Sequence, residues 1–189
     1  MSSSNVSRYP DKDLAFAIGF SAIDGVLAFH IHRLKNYFST LHNAWVAPRE
    51  ELQKAGLAPK IAEWIDTKRS SIVPLRLIDI LEKEGISVVL DDDTAYPLPL
   101  RELHDRPHLL YYKGTLPDFS QKNVLAVVGS RKASSYGRAV ISSLLPDIIA
   151  AEVEVVSGLA YGIDSLAHTE TLKSKGITYA IIASGLDHE

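Results

Sequence analysis

The strongest signal in this chain is Val124-Leu-Ala-Val-Val-Gly-Ser-Arg-Lys-Ala-Ser-Ser-Tyr-Gly137, followed further along by Val155-Val-Ser-Gly-Leu-Ala-Tyr-Gly-Ile-Asp164. Each stretch begins as an apolar, β-branched run, stops at a glycine or Ser-Gly turn and then enters a helical pattern. The run Val124 to Val128 has no polar interruption, which is typical of a central parallel strand covered on both faces. A third run covers Ile177 to Ala183. This alternation predicts an α/β fold with a doubly wound, mostly parallel sheet, whose ligands bind at the carboxyl ends of the strands.

Serines and an aspartate mark where the helices of this pattern begin. The pair Ser134-Ser135 is predicted to cap a helix over residues 136–151, which Pro146 should kink or shorten. Asp164 is predicted to be the structural cap of the next helix, with Ser165 as the alternative. Each helix therefore starts directly after a glycine-containing turn, where backbone N–H groups have no helical partner.

Two strand ends of this kind bring backbone N–H groups together, where they can hold phosphate. Arg131 strengthens this interpretation because its guanidinium matches phosphate oxygens, whereas an isolated Gly-Ser after a strand is more often an ordinary turn. The candidate phosphate-binding residues are Gly129, Ser130, Arg131, Ser157, Gly158 and Gly162.

Neighbouring basic and aromatic residues are candidates for further contacts with a nucleic acid. Cations can meet phosphate and tyrosine rings can stack on bases, although both also occupy ordinary solvated or half-buried positions. These candidates are Lys132, Tyr136, Arg138 and Tyr161. The chain has no acidic residue between Asp118 and Asp147, so this edge of the sheet can be positive.

The composition allows a sizeable core but does not mark a general nucleic-acid binder. The chain has 189 residues, 46% of them hydrophobic, and its 20 basic and 23 acidic residues give a formal charge of −3. A basic balance is what a general nucleic-acid binder usually shows. The absence of cysteine excludes disulfides and thiolate metal sites. No secretory signal and no apolar run of membrane-spanning length is visible.

The sequence predicts neither a cofactor nor a metal. The Gly-Ser-Arg turn lacks the G-x-G-x-x-G spacing of dinucleotide sites, and no G-x-x-x-x-G-K-[ST] loop is present. His30, His32 and His42 show no zinc spacing. The run Asp91-Asp92-Asp93 is predicted to be a solvated turn, because neighbouring side chains of an extended chain point in opposite directions.

A series of motifs in order carries a resemblance to a known family. They are Gly129-Ser130-Arg131 with Tyr136-Gly137, Ser157-Gly158-Leu159-Ala160 with Gly162-Ile163-Asp164, Ala167-His168, Gly185-Leu186-Asp187 and, upstream, residues 96–102 and 107–114. In this order and spacing they resemble the DNA processing protein A family, DprA, also called Smf. Several matching motifs are far more specific than any one of them alone.

The resemblance implies a cytoplasmic bacterial protein of natural transformation, or competence, and of DNA recombination. It implies a Rossmann-like domain that binds incoming single-stranded DNA, protects it and helps to load the recombinase RecA, without catalysis. It assigns Gly129, Ser130 and Arg131 to the family's phosphate-binding loop, and Ser157, Gly158 and Gly162 to the adjoining loop. It also implies a homodimer formed through regions that lie outside this sequence.

The chain is predicted to have three regions. Residues 1–70 resemble a small all-α SAM-like (sterile-alpha-motif-like) domain, and residues 71–118 form a connection whose strands, Ile86 to Leu90 and Leu109 to Lys113, widen the sheet. Residues 119–189 form a partial Rossmann-like DNA-binding domain, which we expect to be incomplete at its carboxyl end because the sequence stops just past the third strand. Helical spacing in the first region covers Leu14 to Phe20, Ile23 to Asn36, Pro48 to Ala55 and Pro59 to Thr67.

Two other functions remain open from the sequence. Rossmann-like enzymes of the lysine decarboxylase-like group bind nucleotides and cleave their N-glycosidic bond, but they carry a P-G-G-x-G-T loop that this chain lacks. A purely structural interaction domain is the other alternative. Release of free base from a nucleotide would favour the enzyme, and tight partner binding without nucleic-acid affinity would favour the interaction domain.

Overall fold

The computed structural model describes residues 12–186, without the side chains of Lys12 and Gln121. Its internal contacts divide the chain into two compact units. The first comprises the described residues up to Tyr96 together with Leu100–Leu116, and the second comprises Pro97–Pro99 and the described residues from Pro117 onward. None of the helices within residues 12–186 combines the length and the apolar character needed to cross a bilayer.

Short helices around an apolar core make up most of the first unit. Phe20 and Leu34 are fully buried in this core, and the Trp45 ring packs edge-on against Phe20 at a centroid distance of 4.9 Å. The helical character predicted for this region is confirmed, whereas its likeness to a SAM-like domain stays a prediction. Helices α1 to α6 are Lys12–Ser21, Ala28–Phe38, Leu41–Val46, Arg49–Lys54, Pro59–Lys68 and Pro74–Lys83, and one 3-10 turn covers Arg69–Ser71.

The chain turns inside the segment where the sequence predicts one helix over Ile23 to Asn36. Gly25 has a φ of 82°, in the left-handed region, and α2 begins only at Ala28. His30 accepts a hydrogen bond from the Leu27 N–H through Nδ1 at 3.0 Å, which pairs one amide at the start of α2. The prediction of one continuous helix is wrong, because apolar residues continue at helical spacing through a turn that separates Ile23 from α2.

The two strands expected to widen the parallel sheet form a separate sheet in the first unit. β1 (Ser87–Leu90) and β2 (Leu109–Tyr112) are antiparallel, with Leu90 opposite Leu109. Leu90 lies in the apolar core of the helices, and Leu109 packs against the same core. The predicted widening is wrong because the apolar side chains of this hairpin are buried against helices. The short helix α7 (Leu98–Arg101) lies between the two strands in sequence.

The second unit has the predicted α/β alternation. Its strands β3, β4 and β5 are parallel and lie in that order, with Leu125 opposite Val155 and Val156 opposite Tyr179. The predicted fold class, with a parallel sheet and crossover helices, is confirmed. Its elements are a 3-10 turn at Phe119–Gln121, β3 (Val124–Ala126), α8 (Ser135–Ala150), β4 (Glu154–Ser157), α9 (Ile163–Lys173) and β5 (Thr178–Ala180).

Helices cover one face of this parallel sheet. α8 and α9 pack against each other, and Ile141, Val155 and Ala167 are buried in the apolar core between helices and sheet. In the part of the chain that the structure describes, β4 is the middle strand and the Val128 side chain is 80% exposed. The prediction that Val124 to Val128 is central and covered on both faces is therefore wrong for the described residues.

Candidate nucleic-acid interface

Two loops leave the carboxyl ends of neighbouring parallel strands. The first loop, residues 129–134, connects β3 to α8, and the second loop, residues 158–162, connects β4 to α9. Pairing of the strands continues as far as Val127, whose N–H donates to the Val156 carbonyl at 2.9 Å. Both loops therefore start at the same edge of the sheet.

Helix α8 begins where the sequence predicts and passes through its proline. The Ser134 hydroxyl oxygen accepts the Gly137 N–H at 3.1 Å, which confirms the predicted serine cap. The helix then continues through Pro146 to Ala150, so the expected early end does not occur.

The two loops touch at Gly162. This residue has a φ of 87°, and a Cβ built on it would lie 2.2 Å from the Ser130 carbonyl oxygen and 2.6 Å from that of Arg131. Any other L-residue would be strained at this φ and would overlap the first loop. The next residue, Ile163, donates its N–H to the Ser130 carbonyl at 3.1 Å. The loops therefore adjoin, as the sequence predicts.

The Ile163 side chain supports the first loop from behind. A Cβ at Gly129 would lie 2.7 Å from the Ile163 side chain, so the loop backbone approaches this residue as closely as only glycine allows. Ile163 also packs against the core that contains Val155. The position of the first loop is thus fixed by a packed core on one side and by Gly162 on the other.

Three consecutive backbone N–H groups of the first loop have no partner in the described part of the protein. The amides of Gly129, Ser130 and Arg131, three exposed residues, donate no hydrogen bond within residues 12–186. The Lys132 N–H donates to the Ser130 hydroxyl at 3.1 Å, which holds the loop in a tight turn. Consecutive free amides at a strand end can receive an anion.

Exposed cations and aromatic rings surround the first loop. Arg131, Lys132 and Arg138 are exposed, and none of them forms a salt bridge within the described residues. The Tyr136 side chain is 78% exposed and that of Tyr161 is 85% exposed, so neither ring occupies a half-buried site. The guanidinium of Arg131 is available to a ligand because no carboxylate of residues 12–186 neutralises it.

Ser157 does not belong to the exposed surface. Its side chain is 2% exposed, and its hydroxyl donates to the Val127 carbonyl at 2.7 Å. This bond joins β4 to the end of β3 and uses the only proton that the hydroxyl has. The prediction that Ser157 contacts phosphate is therefore wrong for its side chain, and we remove the residue from the candidate site.

Asp164 does not cap α9. The helix begins at Ile163, the residue before it is Gly162, and no side chain caps this end. Asp164 is only 7% exposed, its Oδ1 has no hydrogen-bond partner within residues 12–186, and a Cβ at Gly158 would lie 2.8 Å from its Oδ2. The predicted cap is wrong, although a carboxylate in the first turn still interacts favourably with the helix dipole.

His168 lies one turn after Asp164 and is buried as well. Its Nδ1 lies 2.7 Å from the Thr178 hydroxyl, which itself donates to the Val155 carbonyl at 3.0 Å. Because a hydroxyl has one proton, this network assigns the imidazole proton to Nδ1. Burial lowers the pKa of His168, and the Asp164 carboxylate offsets part of this effect. His168 is thus a hydrogen-bonded core residue.

In the first unit, Asp91 differs from the solvated position predicted for it. The residue is 8% exposed, and its Oδ2 accepts a hydrogen bond from Arg106 Nε at 2.8 Å. Burial would raise the pKa of Asp91, but His108, Arg106 and His32 outweigh burial and hold the pKa well below its usual value. Sequence reasoning missed this cluster because its members are far apart along the chain, and no local spacing marks them.

The fold and the site together define a class of protein. It is an α/β protein in which two touching glycine-containing loops and an exposed arginine lie at the carboxyl edge of a Rossmann-like parallel sheet. A family model described as DNA recombination-mediator protein A matches residues 87–189. The chain belongs to this family, which confirms the resemblance drawn from its motifs.

Individual relatives agree with this assignment. Over 181 residues the chain is 29% identical to protein Smf of Synechocystis, which covers 94% of this chain and 46% of that protein. Over 99 residues it is 43% identical to DNA processing protein DprA of Streptococcus pneumoniae, covering 52% of this chain and 34% of that protein. The X-ray structure of DNA processing protein A from Streptococcus pneumoniae superimposes with a TM-score of 0.68 and 28% identity, covering 92% of this chain and 58% of that one. The chain thus spans less than half the length of these two curated relatives.

Proposed function

We propose that this chain binds single-stranded DNA, without catalysis, by holding backbone phosphate at the first and second loops. The observation that carries the proposal is the contact at Gly162, which places the exposed amides of Gly129, Ser130 and Arg131 beside the second loop. Fixed amides and one exposed guanidinium are suited to a phosphate oxygen. Because phosphate contacts carry no base information, binding is largely independent of sequence.

The exposed residues around the first loop extend this contact along the strand. Lys132 and Arg138 add positive charge that a neighbouring phosphate can meet. Tyr136 and Tyr161 present aromatic faces on which bases can stack, a contact worth about 1–3 kcal/mol per base. Stacking tolerates any base, so these contacts also leave the binding independent of sequence.

Family membership supports a wider role for this binding. We propose that the protein acts in the cytoplasm during natural transformation and recombination, where it protects incoming single-stranded DNA, helps to load RecA and self-associates as a homodimer. The support is its membership of the DNA recombination-mediator protein A family and the motifs that it shares with DprA and Smf. The rate of RecA assembly on DNA coated with a single-strand-binding protein measures this role. We expect RecA to assemble faster with the parent chain than with an Arg131→Ala variant.

The direct test is the affinity for a labelled oligo-dT, measured by fluorescence anisotropy at several salt concentrations. Arg131→Ala removes a charged contact of about 1.5–3 kcal/mol, so affinity should fall about tenfold to a hundredfold. The slope of log affinity against log salt should become shallower by about 0.7 for one lost phosphate contact. An oligonucleotide of different composition should give a similar loss.

A charge-matched control separates this contact from the general effect of removing a cation. Lys173 is exposed at the last residue of α9, whereas the helix begins beside the loops at Ile163. A helix of this length separates its ends by about 16 Å. Lys173→Ala should therefore leave the affinity nearly unchanged, and equal affinities for the parent and Arg131→Ala would refute the proposed site.

A further inference from the structure

Three side chains that can bind a metal ion meet in the first unit. Backbone pairing brings two of them together, because the Asp91 N–H donates to the His108 carbonyl at 2.9 Å directly beyond the Leu90–Leu109 pair. Residues opposite each other on antiparallel strands project from the same face. The third residue, His32, comes from helix α2.

The donor atoms of these residues are close enough to share one ion. Asp91 Oδ1 lies 2.8 Å from His108 Nδ1, and Asp91 Oδ2 lies 3.1 Å from His32 Nε2. All three candidate ligand atoms lie within 4.8 Å of one another. Zinc binds imidazole nitrogen and carboxylate oxygen at about 2.0–2.2 Å, so ligand atoms on opposite sides of one ion are up to about 4 Å apart. Only small side-chain movements separate this arrangement from a coordinating one.

The state of His108 points independently to a ligand. Its side chain is 1% exposed, and its Nδ1 lies 2.8 Å from Asp91 Oδ1 as an ion pair. Its Nε2, however, is buried without a hydrogen-bond partner within the described residues. A buried polar atom without a partner is costly, and a metal bond to one nitrogen would remove part of that cost.

Arg106 supports the carboxylate and leaves one of its oxygens available. Its Nε donates to Asp91 Oδ2 at 2.8 Å, whereas Oδ1 faces His108. An outer hydrogen bond that orients a ligating carboxylate is common at metal sites. The Arg106 side chain is 36% exposed, so solvent screens the repulsion between its charge and an ion.

We propose that His32, Asp91 and His108 form a site for a divalent transition-metal ion of the imidazole-preferring class, with Zn²⁺ as its representative. Two imidazoles and one carboxylate favour such an ion over Mg²⁺ or Ca²⁺, which take oxygen ligands. The ion ties helix α2 to the β1–β2 hairpin and thereby stabilises the fold of the first unit. This proposal does not depend on DNA binding at the loops.

The test uses the full chain, stripped of metal with a chelator and titrated with Co²⁺ as a spectroscopic probe. We expect the visible absorption of a four-coordinate cobalt site, its loss when Zn²⁺ displaces Co²⁺, and a higher melting temperature with Zn²⁺. His32→Gln should weaken Co²⁺ binding by about tenfold or more and remove the Zn²⁺-dependent shift in melting temperature. His104→Gln makes the same change at an exposed histidine and should behave like the parent.

A second variant keeps the test decisive if His32→Gln does not fold. Asp91→Asn has the same shape as the parent side chain but lacks the carboxylate charge, and it should also lose the cobalt absorption. Failure of the parent to bind either ion would overturn the proposal and identify the cluster as a metal-free hydrogen-bonded group. Binding that survives both ligand substitutions would overturn it as well, because the ion would then lie elsewhere.

Discussion

Replacement of Gly162 by alanine tests the contact on which the proposed DNA site depends. The added methyl group would lie 2.2 Å from the Ser130 carbonyl oxygen and 2.7 Å from the Arg131 carbonyl carbon. Both neighbours are backbone atoms, which cannot rotate out of the way as a side chain can. The first loop must therefore move, and the bond from the Ile163 N–H to the Ser130 carbonyl at 3.1 Å must lengthen or break.

The structure sets the size of the effect on the free energy of unfolding. An L-residue held at a φ of 87° costs about 1–3 kcal/mol in backbone strain. Loss of one backbone hydrogen bond costs about 0.5–1.5 kcal/mol more. We therefore expect Gly162→Ala to lower the free energy of unfolding of the second unit by about 1.5–4.5 kcal/mol.

Urea unfolding followed by circular dichroism measures this loss, because α8 and α9 supply much of the helical signal of the second unit. Both tryptophans, Trp45 and Trp64, lie in the first unit, so their fluorescence follows that unit separately. The control is Gly114→Ala in the first unit, at a φ of 84° with no described atom within 4 Å of the new Cβ, and its cost is measured by the tryptophan fluorescence of that unit. This control should show backbone strain alone, about 1–3 kcal/mol.

Gly162→Ala should also weaken oligo-dT binding, because the movement separates the amides of the first loop from the second loop. The reasoning fails if Gly162→Ala costs no more than Gly114→Ala, since the carbonyl contact would then be absent in solution. It also fails if the folded variant binds oligo-dT as tightly as the parent.

Two further predictions concern buried polar groups of the second unit. Ser157→Ala removes the hydrogen bond to the Val127 carbonyl and should lower the free energy of unfolding by about 1 kcal/mol. The oligo-dT affinity of the folded variant should stay unchanged. A loss of oligo-dT affinity as large as that of Arg131→Ala would return Ser157 to the phosphate site. Burial lowers the pKa of His168 despite the neighbouring Asp164, so the unfolded chain takes up the proton first as pH falls. The contribution of His168 to stability is therefore complete above its ordinary pKa of about 6.5 and decreases below it, by at most about 1.4 kcal/mol per pH unit. Urea titrations at mildly alkaline and mildly acidic pH should show a smaller decrease for His168→Gln than for the parent, and equal decreases would contradict this assignment.

The elements of the second unit were predictable because their signals are local. β-branched runs, a serine before α8 and glycines after the strands lie within a few residues of the structure that they specify. The contact between the loops was predictable for the same reason, since parallel neighbouring strands end at the same edge. What failed in this unit was the environment of single side chains and the central, doubly covered position predicted for Val124 to Val128. Ser157 and Asp164 have residue types suited to a surface site, but only the packed structure shows that both are buried.

The first unit was less predictable because its structure depends on contacts between distant segments. Helix α6 could have been found from its local signals, namely Pro74 at its first position and Gly85 shortly after its end. The β1–β2 hairpin could not be assigned to a sheet, since apolar alternation does not say which surface will cover it. His32 and Asp91 are separated by 59 positions, and no spacing rule links them. Such a cluster becomes visible only once the chain has folded.

The proposed phosphate site would hold a polymer without reading its sequence. Its hydrogen-bond donors are main-chain amides, and their positions are fixed because Gly162 admits the Ser130 carbonyl and Ile163 fills the space behind Gly129. Ordering these amides on ligand binding therefore costs little free energy. Each phosphate along a strand presents the same oxygens to the amides. Arg131 is exposed and is the adaptable part of the proposed site. Affinity should consequently depend on salt and on the number of phosphates within reach, and hardly at all on which bases lie between them.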